Sequence, residues 1–159
     1  MKEYDASGTC TAQYIYAGVN KLASVKNNKL YFYHHDRLGS VIAVTDEEGQ
    51  LEWQGEYFAY GTLKSESGNG DAWRFTGQEF DTESGFYNFR ARYLDSGYEH
   101  FLTMDPILSD FSPYNYCYGN PANFVDYTGL IGDWVVSSGT YWLSGVERNY
   151  IGPLRSKTD

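Results

Sequence analysis

Proline and cysteine are scarce in this chain: its 159 residues include four prolines and two cysteines. So few prolines exclude a disordered proline-glycine tract. Cys10 and Cys117 stand far apart with no C-x-x-C pair. They read as two unpaired thiols, with one disulfide between them as the alternative, and the redox compartment stays open. No apolar run approaches the roughly 20 residues that a transmembrane helix requires, so no membrane insertion is expected. Basic residues are also few: 12 Lys and Arg stand against 21 Asp and Glu, a formal charge of −9. That deficit argues against nucleic acid, whose phosphates require a dense Lys/Arg surface, and against docking to anionic lipid. The acidity reads as a means of solubility. The opening MKEYDASGTC has no apolar stretch behind Lys2, so it is not expected to be a signal peptide. Met1 leads straight into what reads as mid-repeat sequence, which suggests the tail of something longer, or a gene remnant.

Aromatics and glycine are plentiful. Aromatic residues make up 18% of the chain, 16 of them tyrosine, and there are 17 glycines. Aromatic side chains favour pleated, half-buried surfaces, and glycine supplies the turns between them, so the expected class is all-β with little helix. A turn signature Asp-x-x-Gly recurs at Asp5–Gly8, Asp36–Gly39, Asp46–Gly49 and Asp126–Gly129, with looser versions at Asp81–Gly85 and Asp95–Gly97. Aspartate at the first position accepts hydrogen bonds from the backbone it leads into, and glycine tolerates the positive φ that closes the turn. Strand-like runs lie between these turns, at 12–17, 29–34, 40–45, 50–60 and 85–94. Serial antiparallel hairpins are the natural assembly, because one hairpin cannot bury its own apolar face. The hydrophilic stretch KSESGNGD at 64–71 reads as a loop. The aromatic alternation of Tyr114, Tyr116 and Tyr118 reads as packing on one strand face.

The densest chemistry lies between Tyr87 and Leu130. Asp95 and Asp105 are ten positions apart, Arg90 and Arg92 precede them, and Asp126-Tyr127-Thr128-Gly129-Leu130 closes the tract. Peptide hydrolysis by carboxylates needs one group to activate water and one, protonated, to polarise the carbonyl. Two carboxylates a few ångström apart cannot easily both ionise, so their proton affinities separate and supply both roles. Fully extended, a ten-residue span covers roughly 33 Å, so a turn near Ser96–Gly97–Tyr98 must fold it back. Arg92 or Arg90 is placed to hold one carboxylate ionised by a bidentate hydrogen bond. The alternative is that each aspartate caps a turn, since Asp95 precedes Ser96–Gly97 and Asp105 precedes Pro106.

Several motifs now fall in one order. HHDRLGSVIAVTDEEGQLEWQGEYFAYG at 34–61 resembles the tyrosine-aspartate (YD) repeat. WRFTGQEFDTESGFYNFRARYLD at 73–95, FLTMDP at 101–106, YNYCYGNPANFVD at 114–126 and DYTGL at 126–130 resemble the Rhs repeat-associated core that follows it. The resemblance, to the Rhs/YD-repeat family, covers about residues 5–130 and implies an all-β shell of hairpins that ends in a core plug. It implies YD-repeat strands and the start of the core at 1–72, the core at 73–130, and a variable C-terminal tail at 131–159. It further implies an aspartyl autoprotease that cuts after the closing motif, here between Leu130 and Ile131, with Asp95 and Asp105 as the acids. The implied partners are the rest of the shell and a C-terminal toxin or cargo, with an immunity protein or secretion machinery beyond them. The family's setting is secreted or cell-surface. Three departures stand out: Ser96 and Tyr127 occupy positions where the family has proline, and Ile107–Leu108 replaces a Gly-Leu pair. Proline would stiffen the backbone entering the cut site.

Other patterns carry less. His34 and His35 are strand neighbours that point to opposite faces, so no metal site is expected. Ser40 and Ser137 lack an elbow motif, and the glycines of SGNGD lack a strand-to-helix context, so no nucleotide or other cofactor is expected. A purely structural or surface-interaction repeat is the second reading. Sugar binding through exposed tyrosines is a third, with composition alone behind it.

Overall fold

The Asp-x-x-Gly turns carry the architecture. In the computed structural model, which describes residues 1–108 and 110–135 and the backbone of 141–142, seven strands follow one another. They are β1 (Lys2–Tyr4), β2 (Cys10–Ala17), β3 (Asn20–Lys26), β4 (Lys29–His35), β5 (Val41–Asp46), β6 (Leu51–Tyr57) and β7 (Leu63–Gly68). Each pairs antiparallel with its predecessor, so sheet order equals chain order. Short connections leave no other choice, because a strand joined by a tight turn can only fold back beside its neighbour.

At three of these turns the aspartate does what its position demands. Asp5 Oδ1 accepts the Ser7 and Thr9 N–H groups, each at 2.9 Å. Asp36 accepts Leu38 and Ser40 at 2.8 Å, and Asp46 accepts Glu48 at 3.1 Å and Gln50 at 2.7 Å. The closing glycines 8, 39 and 49 have φ of +81°, +83° and +78°, the left-handed region where a Cβ is penalised. The same turn forms at Phe58–Gly61 without an acid, Gly61 N–H donating to Phe58 O at 2.9 Å.

Four shorter strands make a second antiparallel sheet: β8 (Glu79–Asp81), β9 (Phe86–Asn88), β10 (Tyr93–Asp95) and β11 (His100–Phe101). A third sheet joins β12 (Phe124–Val125), β13 (Asp133–Val135) and β14 (Tyr141–Trp142). Two one-turn 3-10 segments, Phe75–Gly77 and Cys117–Gly119, are the helical pieces among the described residues. The all-β expectation is met.

Two apolar clusters hold these sheets. Tyr33, Val41, Val44 and Trp53 fill the inner face of the long sheet. Phe75, Tyr87, Phe89, Leu94, Phe101, Tyr116 and Cys117 form the second cluster, with Tyr57 of β6 packed against it. The rings there meet edge to face, Phe89 against Phe101 at 5.6 Å and 84° and against Tyr116 at 5.3 Å and 68°. That is the arrangement the ring quadrupole prefers.

The structure differs from the sequence reading in three places. Residues Leu63–Gly68 form edge strand β7 rather than a loop. The ladder to β6 satisfies their backbone, and an edge strand with a wet face needs no apolar alternation. The stretch Tyr114–Tyr118 is bends and a 3-10 turn. Tyr116 is buried while Tyr114 and Tyr118 are exposed, because Cys117 and Tyr118 both adopt positive φ and break the pleat. The run Leu30–Tyr31–Phe32–Tyr33 reads as a strand packed on both sides, its two faces both largely apolar or aromatic, but in β4 Phe32 faces solvent. Cys10 and Cys117 are both free thiols. Ser137 and most of the 131–159 tail lie outside the described residues.

One cluster ties the long sheet to the chain that follows it. Asp71, just past β7, accepts Lys21 Nζ at 2.7 Å, Lys26 Nζ at 2.9 Å and the Tyr33 hydroxyl at 2.5 Å on one oxygen. Its other oxygen accepts the Ala72 N–H at 2.7 Å. Lys21 is buried, its ammonium 4.1 Å from the Tyr14 ring centre and 4.4 Å from that of Tyr33. Burial lowers the Lys21 pKa to about 8 although Asp71 pulls it up. Asp71 is held well below the usual carboxylate range: the charge and hydrogen bonds of Lys21, with those of Tyr33 and Lys26, outweigh a desolvation that raises it.

Candidate functional site

The closing turn and the strand before β10 meet in the core. Arg90 has φ of +68°, a kink that lets the Ala91 N–H reach Thr128 O at 3.1 Å. Two residues later Arg92 points inward, 4% exposed. Its guanidinium lies 3.7 Å from the centre of the Phe101 ring. Nε donates to Gly129 O, Nη1 donates to Pro113 O at 3.1 Å, and Nη2 stands 3.7 Å from Asp126 Oδ2. Burial lowers the Arg92 pKa and the charges of Asp105 and Asp126 raise it. An arginine at this depth persists because every face of it is matched.

Asp126 repeats the turn grammar in a buried setting. Its Oδ1 accepts the N–H of Thr128 at 2.9 Å and of Gly129 at 2.8 Å. Burial raises its pKa above the ordinary value, opposed by the N–H groups of Thr128, Gly129 and Leu130 and by the charge of Arg92. Gly129 is required on two counts. Its φ is +73°, and a Cβ there would lie 2.7 Å from Phe89 O and 3.0 Å from the Arg92 nitrogen.

Asp105 arrives from the other side. It is 3% exposed, accepts the Ile107 N–H at 2.9 Å, and donates its own N–H to Pro113 O at 2.8 Å. Pro113 O therefore binds both Asp105 and Arg92, and Asp105 is a major charge acting on Arg92. Arg92, Asp105 and Asp126 thus share one site. Asp95 does not join them. In the β10–β11 pairing Leu94 faces Phe101 and Asp95 faces His100. Successive side chains alternate faces, so Asp95 lies opposite Leu94 and Arg92, half-buried, with Oδ1 capping Gly97 at 2.9 Å and Tyr98 at 3.1 Å.

Leu130 and Ile131 leave the closing turn half-buried. A small cleft of about 10 Å³, lined by Arg92, Cys117, Tyr118, Asp126, Leu130 and Gly132 among others, opens beside them. That volume is near the minimum that admits one water. Cys117 is an unreactive thiol, its pKa raised by burial. A larger cleft, about 380 Å³, lies elsewhere, against Tyr16, Trp73, Gln78, Arg90 and Tyr127, and neither Asp105 nor Asp126 lines it. Among the described residues no group of His, Cys, Asp and Glu has the spacing to hold a metal ion. His34 instead meets Thr45 Oγ1 at 3.0 Å. What the sequence did not reveal is the burial of Asp126 and its approach to Arg92, since its spacing matches the exposed turns; the doublet Gly129–Leu130 after it is the one local cue.

A family model described as "RHS protein" matches residues 30–67. The chain is 36% identical over 127 residues to Salivary gland surface protein 1 of Aedes aegypti, covering 77% of this chain and 4% of that protein. It is 36% identical over 106 residues to Toxin protein Tse5 of Pseudomonas aeruginosa, covering 65% of this chain and 8% of that protein. The chain therefore spans less than a tenth of either relative. Its fold matches the solved structure of TcdB2-TccC3-Cdc42 with a TM-score of 0.69 at 23% identity, over 79% of this chain and 7% of that one.

Proposed function

Because the chain belongs to the Rhs/YD-repeat family, we propose that it is the C-terminal core module of a toxin-carrying shell and cuts itself between Leu130 and Ile131. The observation that carries this reading is the buried clasp of Arg92, Asp126 and Gly129 with Asp105 beside it, one peptide upstream of that bond. In this reading Asp105 takes a proton from a water at the Leu130 carbonyl, and the water oxygen attacks the Leu130 carbonyl carbon. Asp126, whose burial favours its protonated form, gives a proton to the departing Ile131 nitrogen as the C–N bond breaks. Arg92 is a positioning residue that grips the Gly129 carbonyl and holds Asp105 ionised. Asp95, on the outer face, caps the hairpin. The rest of the shell and a C-terminal cargo are the proposed partners, in a secreted or cell-surface setting.

Mass spectrometry under denaturing conditions tests the cut. A product ending at Leu130 is expected from the wild type and from Asp95→Asn, and not from Asp105→Asn or Asp126→Asn. Loss of the product in Asp95→Asn, with a normally folded chain, would return Asp95 to the catalytic pair. A wild type that stays intact would favour a second reading, a structural repeat module without chemistry. One observation supports that alternative: the Asp126 carboxylate is engaged in the same manner as the turn caps Asp5, Asp36 and Asp46.

A further inference from the structure

We propose that the larger cleft, between the β2–β3 turn and the second sheet, binds a free α-amino acid with an aromatic side chain. The cleft measures about 380 Å³, and Tyr16, Trp73, Gln78, Glu79, Asn88 and Arg90 are among the residues that line it. A cleft of that size, with aromatic walls and a few convergent polar groups where two packed units meet, is the usual seat of a small ligand. Neither Asp105 nor Asp126 borders it, so this site stands or falls apart from the cut.

Backbone register sets the order of its groups. Trp73 pairs with Glu79, and Glu79 in β8 pairs with Asn88 in β9. Residues directly opposite across antiparallel strands share a face. Trp73, Glu79 and Asn88 therefore form a row, and all three border the cleft. Asn88 Oδ1 accepts the Arg90 N–H at 2.8 Å, which leaves its amide N–H groups to donate elsewhere. Gln78 Nε2 donates to Tyr127 O at 3.3 Å, which leaves Oε1 as an acceptor. Among the described residues neither Glu79 nor Arg90 forms an ion pair.

The row runs from an aromatic wall, through a carboxylate, to cationic and amide donors. An aromatic α-amino acid presents the complementary order of ring, ammonium and carboxylate. Its two charges hang from one carbon, and Glu79 and Asn88 stand one strand spacing apart, about 4.8 Å. A ligand with charges at the ends of a longer chain overshoots that interval. Glu79 takes the ammonium; Arg90 and the Asn88 amide take the carboxylate through charge-assisted hydrogen bonds. The ligand ring lies against Trp73 and Tyr16, whose own rings meet edge to face at 6.3 Å and 77°. Burial raises the Tyr16 pKa, and the charges of Asp71, Glu3 and Glu79 add to it, which sets the Glu79 carboxylate near that ring.

Isothermal titration of the full chain with L-phenylalanine tests the site. Phenylalaninamide lacks the carboxylate, N-acetylphenylalanine lacks the ammonium and L-alanine lacks the ring. Each is expected to bind on the order of tenfold more weakly, the scale of one charge-assisted hydrogen bond or one aromatic contact. Glu79 and Arg90 are exposed, so Glu79→Gln and Arg90→Gln should melt with the wild type. Glu79→Gln should erase the preference for phenylalanine over its N-acetyl form and keep the preference over the amide. Arg90→Gln should do the reverse. No binding of L-phenylalanine at millimolar concentration would overturn the inference. Equal binding of the four probes, or binding of a neutral sugar such as maltose in their place, would overturn it as well.

Discussion

Asp71→Asn is the sharpest probe of how this fold is held. The substitution keeps shape and volume and removes one negative charge. It leaves the ammonium of Lys21, whose side chain is 3% exposed, facing a neutral amide at what was 2.7 Å. Stripping the partner from a buried ion pair costs about 3–5 kcal/mol. Lys21 has one escape, which is to release its proton; from its folded value of about 8 this costs about 1.4 kcal/mol at pH 7. Added to about 1–2 kcal/mol for the hydrogen bonds lost by Lys26 and Tyr33, this gives a loss of about 3 kcal/mol at pH 7, at the low end of that range, and a fall in Tm of about 10 °C for a chain of this size. The sign with pH also follows. Lys21 titrates at about 8 in the folded wild type, below its free value, so the unfolded chain binds more protons between those limits and stability rises with pH there. Without Asp71 the folded value drops further and the rise begins at lower pH. By pH 9.5 both proteins hold Lys21 neutral, and the gap should shrink to about 1–2 kcal/mol, the hydrogen bonds lost by Lys26 and Tyr33. Urea unfolding followed by tryptophan fluorescence at the two pH values measures both quantities. The double variant Lys21→Met, Asp71→Asn should regain most of the loss, since no orphan charge remains. A variant within about 0.5 kcal/mol of wild type at pH 7, or a gap that ignores pH, would refute the electrostatic account of this cluster.

Three further outcomes are expected. Gly8→Ala and Gly68→Ala both force a Cβ into positive φ, but the first meets open space and the second meets Glu52 O at 2.0 Å; thermal melts should show about 1–2 kcal/mol for Gly8 and at least twice that for Gly68. Arg92→Lys should destabilise by about 2–4 kcal/mol, because an ammonium cannot donate to both Gly129 and Pro113 while lying flat on Phe101; an unchanged urea midpoint would contradict this. The outer edges of β1 and β7 are unpaired within the sheet, so light scattering should show association that grows with concentration, and a clean monomer at high concentration would count against it.

How much of this was legible in the residues divides along the distance over which each signal acts. The hairpins of the long sheet were legible because each is written in four consecutive residues: Asp36 caps the backbone two and four positions on, and Gly39 closes the turn. A chain of such turns leaves only the sequential strand order. The site was half legible. The tract from Arg92 to Leu130 was marked by its acids, glycine and order of motifs, yet the pairing of Asp95 with Asp105 assumed a hairpin with both acids on one face. The pleat assigns alternate residues to opposite faces, and the β10–β11 register turns Asp95 outward while Arg92 and Leu94 turn in.

What the sequence determined on its own is the class, the turns and the serial meander, since those depend on neighbours within a few positions. Tertiary structure decided which acids are buried, which strand takes the hydrophilic stretch 64–71, and where charges meet. Lys21 and Asp71 are 50 positions apart and Arg92 and Gly129 are 37. No local pattern encodes such meetings. They are fixed by desolvation, which leaves a buried charge no stable state except beside the one partner the packing brings to it.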